Sequence, residues 1–278
     1  MPRSTRWPTE APPQRSSFRP AALLRAAGLR ANRWLALGLS VLLVGVVATL
    51  AVTVHQERRW QLVFDEDFDR PAPAGEFAQT YRDRWSVYPD GWRSTNGAGT
   101  YQPSRTVSVH DGAVDILVGE TEAGPSSAAL LPRLPTYGQL YGRYAVRFRA
   151  DPVPGYKVAF LLWPDSESWP ADGEVDFPEG DLDGSISAFA HHADPSGSQE
   201  QFATDQTFDR WHTATTEWEP GRLRFYLDDA LVGETTTGVP DTSMHWVLQT
   251  EVVPGSTPPS GASGHIYVDD VRAWSFHG

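Results

Sequence analysis

From Gln61 to the end of the chain, hydrophobic and polar positions follow a period of two more often than any longer period. In Gly142–Ala150, Tyr144, Val146 and Phe148 alternate with Arg143, Arg147 and Arg149, the pattern of a strand with one buried face. Arg105–Val118 holds two such runs about Asp111-Gly112, and Trp211–Asp229 holds two about Pro220-Gly221, so both read as hairpins. Val158–Trp163 is a continuous apolar run, which suits a strand buried on both faces. Leu62–Phe68, Ser185–His192, Met244–Val252 and His265–Trp274 complete the series. No long amphipathic helix, internal repeat or phosphate loop interrupts it. Strands at short intervals with Gly/Pro turns predict an all-β antiparallel sandwich over residues 61–278.

A different pattern precedes it. Trp34–Val54 is uncharged and about the length a helix needs to span a bilayer. Residues 1–33 carry seven arginines and one acid, with prolines and serines and no period, and read as a disordered basic tail. A cleaved signal peptide is the rival reading. The run is longer than the usual 7–15 apolar residues of such peptides, and Thr49–Ala51 makes a poor cleavage site. The expected division is a cytoplasmic tail at 1–33, a single transmembrane anchor at 34–54, a short linker at 55–60 and a sandwich domain beyond. The arginines ahead of the anchor place the tail in the cytoplasm and the sandwich outside.

Charge narrows the partners. The 278 residues carry a net −12; the basic tail contributes +6, leaving −18 on the rest. Phosphates would be repelled, which argues against nucleic acid. Eleven tryptophans and nine tyrosines suit both a sandwich core and flat platforms for sugars. The chain has no cysteine, so the fold uses no disulfide.

One stretch is dense in candidate chemistry. Trp169–Gly184, W-P-A-D-G-E-V-D-F-P-E-G-D-L-D-G, spaces Glu174, Asp176 and Glu179 as E-x-D-x-x-E. Glu174 and Asp176 share a strand face, but Glu179 falls on the other unless one extra residue intervenes. A bulge at Phe177-Pro178 would restore the parity, and bulges tolerate proline. The outer pair would then sit about 13 Å apart at Cα. Leaning together, their carboxyls would come to about 5–6 Å, close to the ~5–5.5 Å of retaining glycosidases. Three clustered carboxylates repel, so at least one should hold its proton above the usual range. An acidic surface loop and a calcium loop remain open readings, since Asp165, Glu167, Asp172, Asp181 and Asp183 are nearby.

The motif W-P-x-x-G-E-V-D-F-P-E resembles the signature of glycoside hydrolase family 16, which includes laminarinases, lichenases and agarases. The resemblance spans about residues 61–276. It implies a β-jelly roll of concanavalin A-like type with an open cleft. It also implies an endo-acting, retaining hydrolase of a polysaccharide such as β-1,3- or β-1,3-1,4-glucan. Carried over by position, Glu174 is the nucleophile, Glu179 the acid/base and Asp176 the residue that orients Glu174. His191, rather than His192, matches the histidine of the neighbouring strand. Trp169 is the motif tryptophan, expected at the cleft floor, and Trp163, Trp92, Trp246 and Gln249 are further substrate-binding candidates. Gln249 and Glu251 stand where laminarinase-like members tend to carry asparagine, and Ser94–Tyr101 has no clear match to the family's early N-x-E element. The family needs no cofactor for catalysis. Many members hold a structural calcium, here implied at Asp269 and the Gly112 carbonyl. A monomer acting on polysaccharide is expected. The competing expectation is a non-catalytic carbohydrate-binding protein of the same fold.

The anchor generates the first test. The full-length protein should fractionate with membranes, its sandwich domain open to protease from outside the cell. Recovery of a soluble form beginning near residue 52 would contradict it.

Overall fold

The computed structural model describes residues 59–278, so the apolar run Trp34–Val54 and the tail before it lie outside the described residues. Among the described residues, no helix is long and apolar enough to cross a membrane. Within the described residues, sixteen strands run in the order β1 (Trp60–Glu66), β2 (Trp85–Val87), β3 (Thr100–Tyr101), β4 (Val107–His110), β5 (Ala113–Thr121), β6 (Gly124–Pro132), β7 (Gly142–Ala150) and β8 (Tyr156–Pro164). They continue with β9 (Glu174–Asp181), β10 (Ser185–His191), β11 (Gln199–Thr207), β12 (His212–Glu219), β13 (Arg222–Leu227), β14 (Ala230–Thr235), β15 (Met244–Val252) and β16 (Ser263–Phe276). Two four-residue helices, α1 (Phe77–Thr80) and α2 (Pro103–Thr106), sit in the early connections. Arg105 and Thr106, expected to open a strand, belong to α2.

Apart from β3, which pairs in parallel with β6, the strands form two antiparallel layers. The back sheet runs β4-β5-β16-β7-β12-β13-β14, with β1 paired to the far half of β16. The other runs β11-β10-β9-β8-β15-β6-β2 and carries the cleft. The β5–β6 hairpin, turning at Thr121↔Gly124, carries the chain from one layer to the other. Turn chemistry fixes the registers. Asp111 and Gly112 both take positive φ (55° and 76°), the two-residue turn whose twist matches its strands. Gly221 does the same after Pro220 at φ 69°.

The core lies between the layers. Val114, Ile116, Val146 and Phe148 of the back sheet meet Val158, Phe160, Val175 and Ile186 of the cleft sheet, all essentially buried. A second, smaller apolar cluster lies on the other face of the cleft sheet: Tyr101, Ala129, Leu131, Ala159, Leu161 and Val247. That sheet is thus buried on both faces over β8 and β15, which is why their sequences read as continuous apolar runs. The second cluster is the apolar floor on which the polar residues of the cleft stand.

Candidate active site

The site is made by an irregularity in β9. Against β10, Glu179 stands opposite Ser187 and Asp176 opposite Phe189; against β8, Glu179 stands opposite Ala159 and Asp176 opposite Leu161. Both neighbours advance two residues where β9 advances three, so one extra residue lies at Phe177-Pro178, a β-bulge. Pro178 brings no N–H to a ladder that has already lost its regularity there. Val175 and Phe177 go to the core, 1% and 3% exposed. Phe177 meets Phe225 edge-on at 5.6 Å between centroids, and burying such a ring contributes about 1.5–3 kcal/mol toward holding the bulge. Glu174, Asp176 and Glu179 are thereby left on the cleft face together.

Three other strands complete the group. His191, at the end of β10, stands opposite Glu174. Its Nε2 lies 3.3 Å from Asp176 Oδ2 and 3.9 Å from Glu174 Oε2. Neither Asp176 Oδ2 nor His191 Nδ1 finds an aligned hydrogen-bond partner among the described residues. One ligating side-chain atom from each of Glu174, Asp176 and His191 lies within 4.8 Å of the other two, a grouping that could hold a metal ion. His192 turns away to Ser198 and Glu200. Lys157 of β8 donates from Nζ to Glu179 Oε1. Glu251 of β15 stands beside Lys157 and accepts from the Thr95 amide at 3.1 Å.

Burial decides the protonation. Burial first, then the neighbouring Asp176 charge, pushes Glu174 up to about 9. Burial also holds Asp176 well above the usual carboxylate range, with the Glu179 charge adding to it and Lys157 opposing it. At neutral pH the pair therefore retains a proton that two exposed carboxylates would have lost.

The remaining sequence candidates separate by place. Trp163, at the cleft end of β8, lines a cavity of about 190 Å³ with Glu174, Tyr88, Thr95, Leu161 and Gln249. Its Nε1 donates to Glu167 Oε2 at 2.9 Å. Trp169 lies not on the floor but in the loop before β9, 47% exposed, its ring parallel to Trp163 at 6.4 Å and edge-on to His191 at 6.3 Å. Trp92 stands 57% exposed beside Tyr88, outside the residues that line this cavity. Gln249 is buried, its Oε1 accepting from Tyr101 Oη at 2.8 Å. Trp246, expected at the substrate, is instead sent to the core by the alternation along β15, 3% exposed, where it meets Tyr144 edge-on. Its neighbours Val247 and Gln249 face the cleft in its place.

Asp269, half-buried on β16, is ion-paired with Arg147, and that guanidinium competes with any cation for the carboxylate. Gly112 sits in the β4–β5 turn. Lys157 and Tyr88 were not singled out from the sequence. The only signal for Lys157 was a charge inside an otherwise apolar strand.

The raised Glu174 pKa has a stability consequence. The unfolded chain loses this proton near 4.5, the folded chain near 9, so the folded state binds more protons between those values. Stability should therefore fall as pH rises through that window. Glu174→Gln removes the penalty. The variant should exceed the wild type by about 1.4 kcal/mol or more at pH 8, the equivalent of at least one pKa unit, and match it below pH 4.5. Thermal melts across the range measure this; parallel curves would refute the buried shared proton.

With this geometry in place, comparison with known proteins adds the following. Residues 106–271 match the family model described as "Glycosyl hydrolases family 16". The "Beta-glucanase" of Bacillus amyloliquefaciens is 31% identical over 109 residues, 38% of this chain and 44% of that protein. The "Endo-1,3-1,4-beta-glycanase EglC" of Rhizobium meliloti (strain 1021) is 26% identical over 199 residues, 63% of this chain and 42% of that protein. The chain thus matches less than half the length of either. Among solved structures, the endo-1,3-beta-glucanase (laminarinase) catalytic domain of Thermotoga petrophila RKU-1 superposes with a TM-score of 0.63 at 20% identity, covering 79% of this chain and 99% of that one. The LamAcat structure from Zobellia galactanivorans gives 0.60 at 21% identity, covering 77% and 98%. These likenesses show the fold, a β-sandwich of jelly-roll type. The family model spans more than half of the sequence, and the chain belongs to glycoside hydrolase family 16.

Proposed function

We propose that this protein is an endo-acting β-glucanase that cleaves β-1,3- or β-1,3-1,4-linked glucan with retention, held at the cell surface by residues 34–54. The observation that carries the proposal is the bulge in β9, which leaves Glu174, Asp176 and Glu179 on one cleft face with His191 beside them. The glucanase names of the relatives support the substrate class.

The chemistry follows from the positions. Glu174 attacks the anomeric carbon as a carboxylate while Glu179 gives its proton to the departing glycosidic oxygen. Glu179, now ionised, takes a proton from water as that water breaks the Glu174 ester. Glu174 must be ionised to attack, although the free site retains a proton. Asp176 resolves this when the shared proton lies on it, because its O–H then donates to Glu174 and favours the charged form. His191, within 4 Å of both carboxylates, adds a positive charge when protonated. Trp163 and the exposed face of Trp169 supply aromatic platforms, and the apolar floor excludes water. No cofactor enters this scheme. The binding-module alternative leaves the Glu174–Asp176 pair unexplained, because burying two adjacent acids lowers stability without serving adhesion.

Release of reducing ends from a panel of glucans, agar, carrageenan and xyloglucan tests the substrate class. Glu179→Ala should lose about 10²-fold or more on polysaccharide, yet keep activity on aryl glycosides whose leaving group needs no proton. Equal losses on both substrates would remove Glu179 from the acid role.

A further inference from the structure

The chain contains 22 arginines and a single lysine, Lys157. That one lysine occupies a cleft-facing position of β8, between Tyr156 and Val158, which both go to the core. Its side chain is 16% exposed and ion-paired with Glu179, whose side chain is 15% exposed. Across the sheet it stands opposite Glu251 of β15 on one side and Asp181 of β9 on the other. Glu251 is buried and occupied by the Thr95 amide, with Asn96 Nδ2 at 3.5 Å. Asp181 is exposed. Asp176 lies on the same face of β9 and acts on the ammonium through space. One buried cation therefore faces several acids and bonds the one to which the proposed reaction gives two opposite tasks.

We propose that Lys157 is a positioning residue for Glu179: its ammonium holds the Glu179 side chain at the cleft face and meets the negative charge that forms there when the proton leaves in the first step. The inference rests on the glycosidase reading above. In the first step the proton leaves Glu179 for the glycosidic oxygen, the C–O bond breaks and the bond to Glu174 forms. The new Glu179 carboxylate is then met by an ammonium already beside it. In the second step that carboxylate takes a proton from water and gives up the ion pair. Lys157 keeps its own proton throughout. Burial alone would drive it off, but the Glu179, Asp176 and Glu251 charges more than offset this and hold Lys157 above its ordinary value.

Lysine suits the task better than arginine. An ammonium is a compact charge with rotatable donors, able to follow a carboxylate through a change of state, whereas a guanidinium binds as a rigid planar fork. Without the ammonium, Glu179 would be left with Asp176 and Glu174 on its strand face and Glu251 across the sheet. The charge that forms on it in the first step would then face only other acids.

Because Lys157 is the only lysine, ¹³C-labelled lysine gives a single side-chain signal in NMR, readable without any substrate. That signal should titrate above 10.5 in the wild type. In Glu179→Gln its midpoint should fall by about one pH unit or more, the lower end of the effect of a close opposite charge. An unmoved midpoint would show that the pair does not exist and overturn the proposal, whatever the enzyme cleaves. The kinetic arm uses Lys157→Met and Lys157→Arg on a glucan the wild type cleaves. In Lys157→Met kcat on polysaccharide should fall by about 10-fold or more with KM little changed, because the contact matters when charge forms on Glu179. The loss should be larger on polysaccharide than on activated aryl glycosides. Lys157→Arg should restore most of kcat. If Lys157→Met folds with the wild-type melting curve and keeps the wild-type kcat on polysaccharide, the proposal fails while the glycosidase reading stands. If the wild type cleaves no polysaccharide but the lysine signal responds to Glu179→Gln, the ion pair stands and the glycosidase reading fails.

Discussion

Everything in the cleft depends on holding three carboxylates side by side on one strand face at partial burial. Electrostatics opposes this at each step: burial disfavours the charged forms, and each charge disfavours its neighbours. The fold meets the cost in three ways. It keeps a proton on the Glu174–Asp176 pair. It sets His191 against that pair from β10. It sets Lys157 against Glu179 from β8. The carboxylates are thus divided between a proton-sharing pair and an ion-paired partner. Two environments on one strand are what two chemical roles require.

The backbone device that imposes this is small. A single extra residue in β9, seen from both β8 and β10, reverses the side-chain parity after Phe177. Without it Glu179 would enter the core and Pro178 would face the cleft. Two hydrophobic layers keep the bulge in place. Phe177 is locked into the main core against Phe225. On the opposite face, Ala159, Leu161 and Val247 pack beneath the cleft, so the strands that flank the acids are clamped from both sides. A sheet buried on both faces is rigid, and a rigid floor suits side chains that must keep their spacing while a charge moves between them.

Strand periodicity made β7, β8, β10, β15 and both predicted hairpins legible, because those segments carry either clean alternation or unbroken apolar runs. The proline in the acidic motif likewise marked the bulge. Where the sequence was silent, the reason is physical. β11, Gln199–Thr207, is a polar edge strand alternating only between exposed and half-buried, so it leaves no hydrophobic signature. β6, Gly124–Pro132, opens with Gly-Pro and ends in Pro, residues that usually punctuate strands. Trp246 was expected at substrate because tryptophan suits sugars, but face is set by register and its register points inward. Trp169 was expected at the floor, yet it belongs to a loop whose course no periodicity predicts. Lys157 gave no motif at all. Its partner is 22 residues away on the next strand, and only the pairing of β8 with β9 brings the two together.

In the proposed reaction the bulge gives two carboxylates that flank the scissile bond different roles: Glu174 forms a covalent link and Glu179 moves the proton. The most direct measurement is ¹H NMR of the product during the first minutes of glucan cleavage, before the new reducing end mutarotates. With retention the β-configuration appears first, and the α-anomer grows in later. Initial appearance of the α-anomer would mean a single displacement by water. Glu174 could not then be the nucleophile, and the double displacement would be contradicted.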